Sequence, residues 1–217
     1  MDVAALINNY PRLFHMAEEG SWPSIKKHGL LSTAAALDRY SIQGASRLTL
    51  EEGHRAEKVK VGAPADFIVL RDQKPMEPSR LARALTDGTT PAEWYKFLNS
   101  KVFMWAEETR LFKLLNARGY GKLTHDVLTI DTAALMAQYE NAVWLCHMNS
   151  GNTFPMWHAR GMDTFKRIAN YPTKKRSEAP AKKVVEVVVD YHIPNIADFV
   201  VEVRSIQGKN ILGNIAL

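Results

Sequence analysis

Short apolar runs separated by polar turns recur along the chain and predict strands. The runs are rich in valine, isoleucine and aromatic residues, which is typical of strands with at least one buried face. The predicted strands cover residues 12–16, 65–72, 101–106, 125–132, 141–148, 184–191 and 197–206.

Apolar residues spaced three and four positions apart predict helices between these strands. The predicted helices cover residues 2–9, 22–31, 78–88, 90–100, 107–119 and 133–140. Pro91 in a first turn and Gly29 and Gly119 at helix ends support these boundaries, because proline favours the first turn and glycine the position after the last. No GxGxxG phosphate fingerprint follows any strand, so we expect an α+β fold rather than a parallel dinucleotide-binding sheet.

The composition is that of an ordinary globular protein, with 46% hydrophobic and 24% charged residues. No apolar stretch approaches the roughly 20 residues of a membrane-spanning helix, and the first residues lack the pattern of a signal peptide. Cys146 is the single cysteine, which excludes an intramolecular disulfide. His147 and His158 have no acidic partner at metal-ligand spacing. We therefore expect one domain over residues 1–217, a cytoplasmic location, no metal and no membrane partner.

The net charge of +5 is concentrated in one stretch, residues 173–183, which we call the basic segment. It contains one acidic residue, Glu178, and five basic ones: Lys174, Lys175, Arg176, Lys182 and Lys183. Such a run is either a solvated, mobile loop or a surface that contacts phosphates of a polyanion. It leads directly into the valine-rich strand at residues 184–191.

That strand carries a glutamate among its valines. Strand side chains alternate between faces, so Glu186 shares its face with Val184 and Val188. Unpaired glutamates are rarely fully buried, which favours a solvated sheet edge. The other interpretation is that the carboxylate is held in an apolar setting for a chemical purpose.

Three stretches, in this order, resemble the ADP-ribosyltransferase superfamily, and in particular the DarT-type nucleic-acid ADP-ribosyltransferases. "LFHMAEEGSWPSIKKHGLLST" resembles the family's first strand with its H-x-T motif, followed by an NLxxIxxxGLL helix. "SKVFMWAEETRLFKLL" resembles its central aromatic strand. "VVEVVVDYHIPNI" resembles its last strand, which bears the catalytic glutamate and precedes a V-P-x-x-I turn. The chain also resembles a bacterial family without an assigned activity, in which "VLRDQ", "LNSKVFMW", "NSGNT" and "RGMDTF" recur.

The resemblance implies an ADP-ribosyltransferase-like split sheet, mixed or antiparallel, and a transfer of ADP-ribose from NAD. Two positions depart from the family pattern, since Ala17 stands at the threonine of H-x-T and Trp105 at a tyrosine. The family's NAD-orienting arginine has two candidate positions, Arg47 and Arg55, of which Arg47 is our first choice.

The implied site residues fall into three groups. Glu186 and Arg47 would be catalytic, and His15, Met16, Ser32 and Trp105 would bind NAD. The acceptor would contact Asn149, Arg160, Lys174, Lys175, Arg176 and Lys182. Three of these residues have a plain structural alternative: His15 as a core histidine, Trp105 as a core aromatic, and Ser32 as the cap of a helix that begins at "STAAAL".

A fixed carboxylate suits this chemistry because the bond between nicotinamide and ribose breaks through a transition state with positive charge on the sugar. The same carboxylate can take a proton from the incoming nucleophile. We expect a DNA or RNA acceptor, since the basic segment precedes the glutamate strand, and an antitoxin partner if the protein is a toxin or phage-defence effector. The alternatives are a protein acceptor, an RNA 2′-phosphotransferase, and a catalytically silent nucleic-acid-binding module of the same fold.

Overall fold

The computed structural model describes residues 1–64, 66–71, 76–177 and 179–217. Within them the strands are β1 (Arg12–Glu18), β2 (Leu30–Leu31), β3 (Val59–Ala63), β4 (Asp66–Leu70), β5 (Lys101–Trp105), β6 (Thr124–Asp131), β7 (Val143–Cys146), β8 (Phe165–Arg167), β9 (Glu186–Asp190), β10 (His192–Ile193), β11 (Val200–Gln207) and β12 (Asn210–Ile215). The helices are α1 (Val3–Asn9), α2 (Trp22–His28), α3 (Thr33–Arg39), α4 (Gly44–Glu52), α5 (Pro78–Ala84), α6 (Pro91–Asn99), α7 (Glu108–Leu115) and α8 (Thr132–Tyr139).

Eight strands form one large sheet in the order β12-β11-β6-β1-β5-β9-β7-β8, and every pairing in it is antiparallel. The fold is therefore α+β, as the sequence predicts, and the sheet is antiparallel rather than mixed. The junction between β1 and β5 is narrow. It has one residue pair, Phe14 with Trp105, whereas β1 pairs with β6 over its whole length.

The main hydrophobic core covers one face of this sheet. Val187 and Val189 of β9 and Val102 and Met104 of β5 contribute to it, packed together with helices α1 and α8. The opposite face of β9 carries Glu186 and Val188, as the strand alternation predicts, whereas Val184, which precedes the strand, belongs to the main core. The alternation of valines therefore decides which side of the sheet the carboxylate occupies.

The edge interpretation of Glu186 is wrong. Strand β9 lies inside the sheet between β5 and β7, and Glu186 is paired with Trp105 on one side and Cys146 on the other. The side chain is 3% exposed. The carboxylate is thus buried by two neighbouring strands that lie far from it in the sequence.

The described residues of the basic segment form a turn. Thr173 and Pro180 form a β-bridge, the Lys174 amide donates to the Ala179 carbonyl at 3.0 Å, and the Ala181 amide donates to the Pro172 carbonyl at 2.8 Å. Glu178 lies outside the described residues. These backbone bonds hold the ends of the segment together and leave its basic side chains facing solvent.

The sequence prediction has no counterpart for six of the described elements: α4, β2, β3, β8, β10 and β12. The hairpin of β3 and β4 pairs Val59 with Leu70 and Ala63 with Asp66. The predicted strand at residues 65–72 extends past β4 at both ends, and Ala65 and Asp72 lie outside the described residues.

The part of the chain that the structure describes contains no helix with both the length and the apolar character to cross a membrane. In the same residues, no group of three or more His, Cys, Asp or Glu side chains is placed to hold a metal ion.

Candidate active site

A cavity of about 760 Å³ opens where β1 and β5 diverge. Its volume lies in the range of roughly 300–1,000 Å³ that is typical of ligand and cofactor sites. Strands β1 and β5, segment 28–33 and the β3–β4 hairpin form its walls, and Ser150, Gly151 and Glu186 also line it. The narrow junction of the sheet therefore creates the space in which candidate residues from distant parts of the chain meet.

His15 spans this junction. Its Nδ1 lies 2.8 Å from the Phe103 carbonyl oxygen, and because a carbonyl only accepts, Nδ1 carries the proton. Burial, assisted by the charge of Arg71 and opposed by the hydrogen bond to Phe103, lowers the pKa of His15 to about 4, so the ring is neutral at pH 7. In this tautomer Nε2 is an acceptor. A ligand in the cavity can therefore donate a hydroxyl hydrogen to His15.

Glu186 accepts a hydrogen bond from the backbone of Ser150. The Ser150 amide lies 3.1 Å from Oε1 and 3.3 Å from Oε2 of the carboxylate. Burial raises the pKa of Glu186 to about 7, and hydrogen bonds from Ser150 and the charge of Arg160 oppose that rise. A carboxyl that titrates near neutral pH suits general acid–base chemistry.

Arg160 fixes the loop that carries Ser150. Its guanidinium donates to the Ser150 carbonyl at 2.7 Å, the Asn152 carbonyl at 2.7 Å and the His158 carbonyl at 3.1 Å. The side chain is buried, and all three bonds go to the loop's own backbone. These bonds make Arg160 a residue that holds the loop above Glu186. Its contact with the acceptor stays a prediction.

The "HGLLS" motif is placed by a second strand pair. Leu30 pairs with Ile193 and Leu31 with His192, so β2 lies next to the segment that follows the glutamate strand. Gly29 makes this approach possible, since its φ is 79° and an added Cβ would lie 2.5 Å from the Ile193 carbonyl oxygen. The motif therefore joins the first part of the cavity wall, which follows the His15 strand, to the segment that follows the Glu186 strand.

Ser32 has the structural role that the sequence left open. Its hydroxyl accepts from the Ala35 amide at 3.1 Å and caps α3, although the residue also lines the cavity. Met16 and Trp105 line the cavity as well. Trp105 packs against Phe14 and Leu111 in a small hydrophobic cluster, so its ring is partly a core aromatic.

The structure separates the two candidate arginines. Arg47 does not line the cavity and is bound by Asp38 and, at 2.8 Å, by Glu51. Arg55 does line it, buried, with a 2.8 Å bond to Asn99 Oδ1 and a 3.3 Å bond to Thr33 Oγ1. The structure therefore places Arg55 in the cavity wall, whereas Arg47 is paired with two carboxylates. Which of the two orients NAD stays a prediction.

Arg71, which we did not single out in the sequence, belongs to the cavity wall. It follows β4 directly and donates to the Met16 carbonyl at 3.3 Å, and its guanidinium lies 5.7 Å from the Tyr120 ring centre. The Ser150 amide was missed as well, because a backbone donor has no signature in the sequence. In the sequence, Arg71 could be noticed only as a basic residue at the end of a predicted strand. Its place in the cavity wall is evident only from the structure.

The other predicted acceptor residues lie outside this cavity. Asn149 closes a turn by accepting from the Gly151 amide at 3.1 Å. Lys174, Lys175 and Arg176 are exposed on the turn of the basic segment. Lys182 lines a second, smaller cavity.

The model of a family of unknown function, DUF7002, matches residues 11–200. This range includes every residue that lines the large cavity, with His15 at one end and Glu186 at the other. No curated protein matches the chain.

Proposed function

The chain belongs to DUF7002, a family of unknown function, and from the geometry of its cavity we propose that it is an NAD-dependent mono-ADP-ribosyltransferase that modifies a nucleic acid. The proposal rests on one observation. His15, a neutral histidine, and Glu186, a buried glutamate with a pKa near 7, line the same cavity, next to the narrow junction at which β1 and β5 pair through Phe14 and Trp105. The ADP-ribosyltransferase-like fold is part of this proposal, and the narrow β1–β5 junction supports it.

The reaction breaks the bond between the ribose C1′ and the nicotinamide nitrogen, and the electron pair leaves with nicotinamide. A new bond forms between C1′ and a nucleophilic atom of the acceptor, whose proton passes to Glu186 and then to water. Ionised Glu186 stabilises the positive charge on the sugar in the transition state. The low dielectric of its buried position strengthens this interaction.

The cavity supplies groups suited to the rest of NAD. His15 Nε2 can accept from a ribose hydroxyl. Four basic side chains line the cavity, which suits a pyrophosphate: Arg55, Lys60, Arg71 and Lys101. Trp105 offers a half-buried aromatic ring opposite Glu186, on which a nicotinamide ring can stack.

The direct test incubates purified protein with NAD, alone and with single-stranded DNA, double-stranded DNA or RNA, and measures released nicotinamide together with label transfer. Transfer to a nucleic acid supports the proposal. Transfer of the label to protein alone would mean that the acceptor is a protein and not a nucleic acid. Nucleic-acid binding without NAD cleavage would support a catalytically silent module.

We expect His15→Ala to weaken NAD binding about tenfold, because one hydrogen bond inside a cavity is worth on the order of 1 kcal/mol. Calorimetry with NAD measures the effect. His158→Ala is the matched control, since that ring is exposed and lines neither cavity. Equal NAD affinity in a folded His15→Ala protein would leave His15 as a structural bridge to Phe103.

The two arginines form a matched pair for a second binding test. Arg55→Gln should lower NAD affinity about tenfold or more, since a charged donor in the cavity wall is lost, and Arg47→Gln should leave it unchanged. Thermal unfolding of both variants controls for stability, because Arg55 also bonds Asn99. A larger loss of NAD affinity in Arg47→Gln than in Arg55→Gln would assign the NAD-orienting role to Arg47.

A further inference from the structure

A second cavity of about 280 Å³ lies beside Arg160, at the other end of the loop that covers Glu186. Ser150 and Gly151 line the large cavity, whereas Ala159 and Arg160 line the small one. The two ends of one loop therefore face two different cavities, and Arg160 ties these ends together through its bond to the Ser150 carbonyl.

Positive charge dominates the small cavity. Lys166 of β8 and Lys182 of the basic segment line it, and neither forms an ion pair with any carboxylate that the structure describes. The neighbouring Lys183 differs, since its Nζ lies 3.1 Å from a Glu107 oxygen. Asp163 supplies the one carboxylate among the lining residues. Two lysines without an ion pair among the described residues, together with Arg160, thus face one carboxylate in the lining of this cavity.

Neutral donors complete the wall. Thr164 Oγ1 accepts from the Gly161 amide at 3.0 Å, which leaves its own hydroxyl hydrogen to donate. Burial lowers the pKa of His147, and Lys182 and Lys166 lower it while Asp163 raises it, so the ring is neutral at pH 7 and its protonated nitrogen can donate. Lysines with hydroxyl and imidazole donors around a small space are the groups that bind a tetrahedral oxyanion.

We propose that the small cavity binds a phosphate group, carried by the nucleic-acid acceptor. The phosphate chemistry stands on the cavity alone, and the assignment to an acceptor rests on the proposed function. A backbone phosphate held here by Lys166 and Lys182 would place the neighbouring nucleotide beside the loop that covers Glu186. Of the exposed basic residues that the sequence predicts as acceptor contacts, Lys182 lines this cavity, whereas Lys174, Lys175 and Arg176 do not.

The test compares Lys166→Gln and Lys182→Gln, singly and together, with the control pair Lys113→Gln and Lys209→Gln. Each pair removes the same charge, and the control residues are exposed and line neither cavity. Single-stranded DNA and RNA oligonucleotides are titrated by fluorescence anisotropy at several salt concentrations, and inorganic phosphate is titrated by NMR. Thermal unfolding shows that each variant is folded, and the single Lys182→Gln variant keeps the test valid if the double variant unfolds.

We expect the cavity double variant to bind an oligonucleotide about tenfold more weakly than wild type. Its log–log salt slope should be shallower by roughly 0.7 for each lost contact. The control pair should change neither quantity. Equal losses in both pairs, or no binding of phosphate or oligonucleotide to wild type, would overturn the proposal. Saturable phosphate binding without oligonucleotide binding would support the phosphate site and overturn its assignment to the acceptor.

These binding measurements do not depend on catalysis. If wild-type protein fails to release nicotinamide from NAD, the proposed function fails while the phosphate site can still be confirmed. If NAD is cleaved but the cavity variants bind oligonucleotides like wild type, the phosphate site fails and the proposed function stands.

Discussion

Glu186→Gln is expected to lower the rate of nicotinamide release from NAD about 10²–10⁴-fold. The substitution keeps the size of the side chain and its acceptor for the Ser150 amide, but removes the negative charge that opposes the developing positive charge on ribose. Single-turnover release of nicotinamide measures the effect. Glu140→Gln, which makes the same change on an exposed side chain, is the control.

Stability gives this variant an independent readout, because the charge on Glu186 destabilises the folded state. In the unfolded chain the carboxyl ionises near pH 4.5, and in the folded protein its pKa is about 7, so the folded state binds the proton more tightly. A raised folded pKa means that stability is lost as the pH rises through this window, by on the order of 3 kcal/mol. Glu186→Gln cannot ionise, so we expect it to unfold at a higher temperature than wild type at pH 8.

The combination of lost activity and gained stability at pH 8 would distinguish a functional glutamate from a structural one. In wild type, the rate of nicotinamide release should rise with pH through about 7 as Glu186 ionises. Full activity of Glu186→Gln would remove the residue from the reaction. A variant that is less stable than wild type at both pH 5 and pH 8 would instead mark Glu186 as part of the framework.

Arg160→Met is expected to destabilise the fold by on the order of 3 kcal/mol and to slow the reaction. The substitution leaves three carbonyls of one loop without their charged donor, those of Ser150, Asn152 and His158. It also removes a positive charge that lowers the pKa of Glu186. Urea unfolding measures the stability, and Arg176→Met, on an exposed side chain, is the control.

A purely structural role for Arg160 would lower stability without changing the acid limb of the pH–rate profile. A role in positioning Ser150 over Glu186 also moves that limb to higher pH, since both influences that oppose the raised pKa are weakened. Carbon-13 NMR of the Glu186 carboxyl follows the same shift without NAD. An unchanged Glu186 pKa in a folded Arg160→Met protein would contradict the positioning role.

Most of the large sheet could be predicted because its strands are locally encoded. The strands at residues 12–16, 101–106, 125–132, 141–148, 184–191 and 197–206 correspond to β1, β5, β6, β7, β9 and β11. Strand β12 escaped prediction because most of its side chains are exposed at the sheet edge, so it lacks the apolar alternation that marks a half-buried strand. Strand β3 is short, its sequence VKVGA contains a lysine and a glycine, and it forms through its pairing with β4.

The site residues also fall into those that could be predicted from the sequence and those that could not. His15 and Glu186 could be singled out because each is a polar residue in an apolar strand, and the resemblance to a known family pointed to the same two positions. Arg55 could not be chosen over Arg47 from the sequence, because both occur in the same polar stretch. Ser150 bonds Glu186 through its backbone and its side chain, and Arg160 bonds the loop backbone. No residue pattern encodes such contacts with a carboxylate that is distant in the sequence.

The amino-acid sequence by itself determined most strands of the large sheet, the α+β class and the face of β9 on which Glu186 lies, because side-chain alternation along a strand is a local property. The tertiary structure alone decided that this face is covered. Strand order brings Trp105 and Cys146 to either side of Glu186, and an arginine-held loop closes over it. Desolvation by these distant neighbours raises the pKa of an ordinary glutamate to about 7, since the charged form loses its water where the chain folds back.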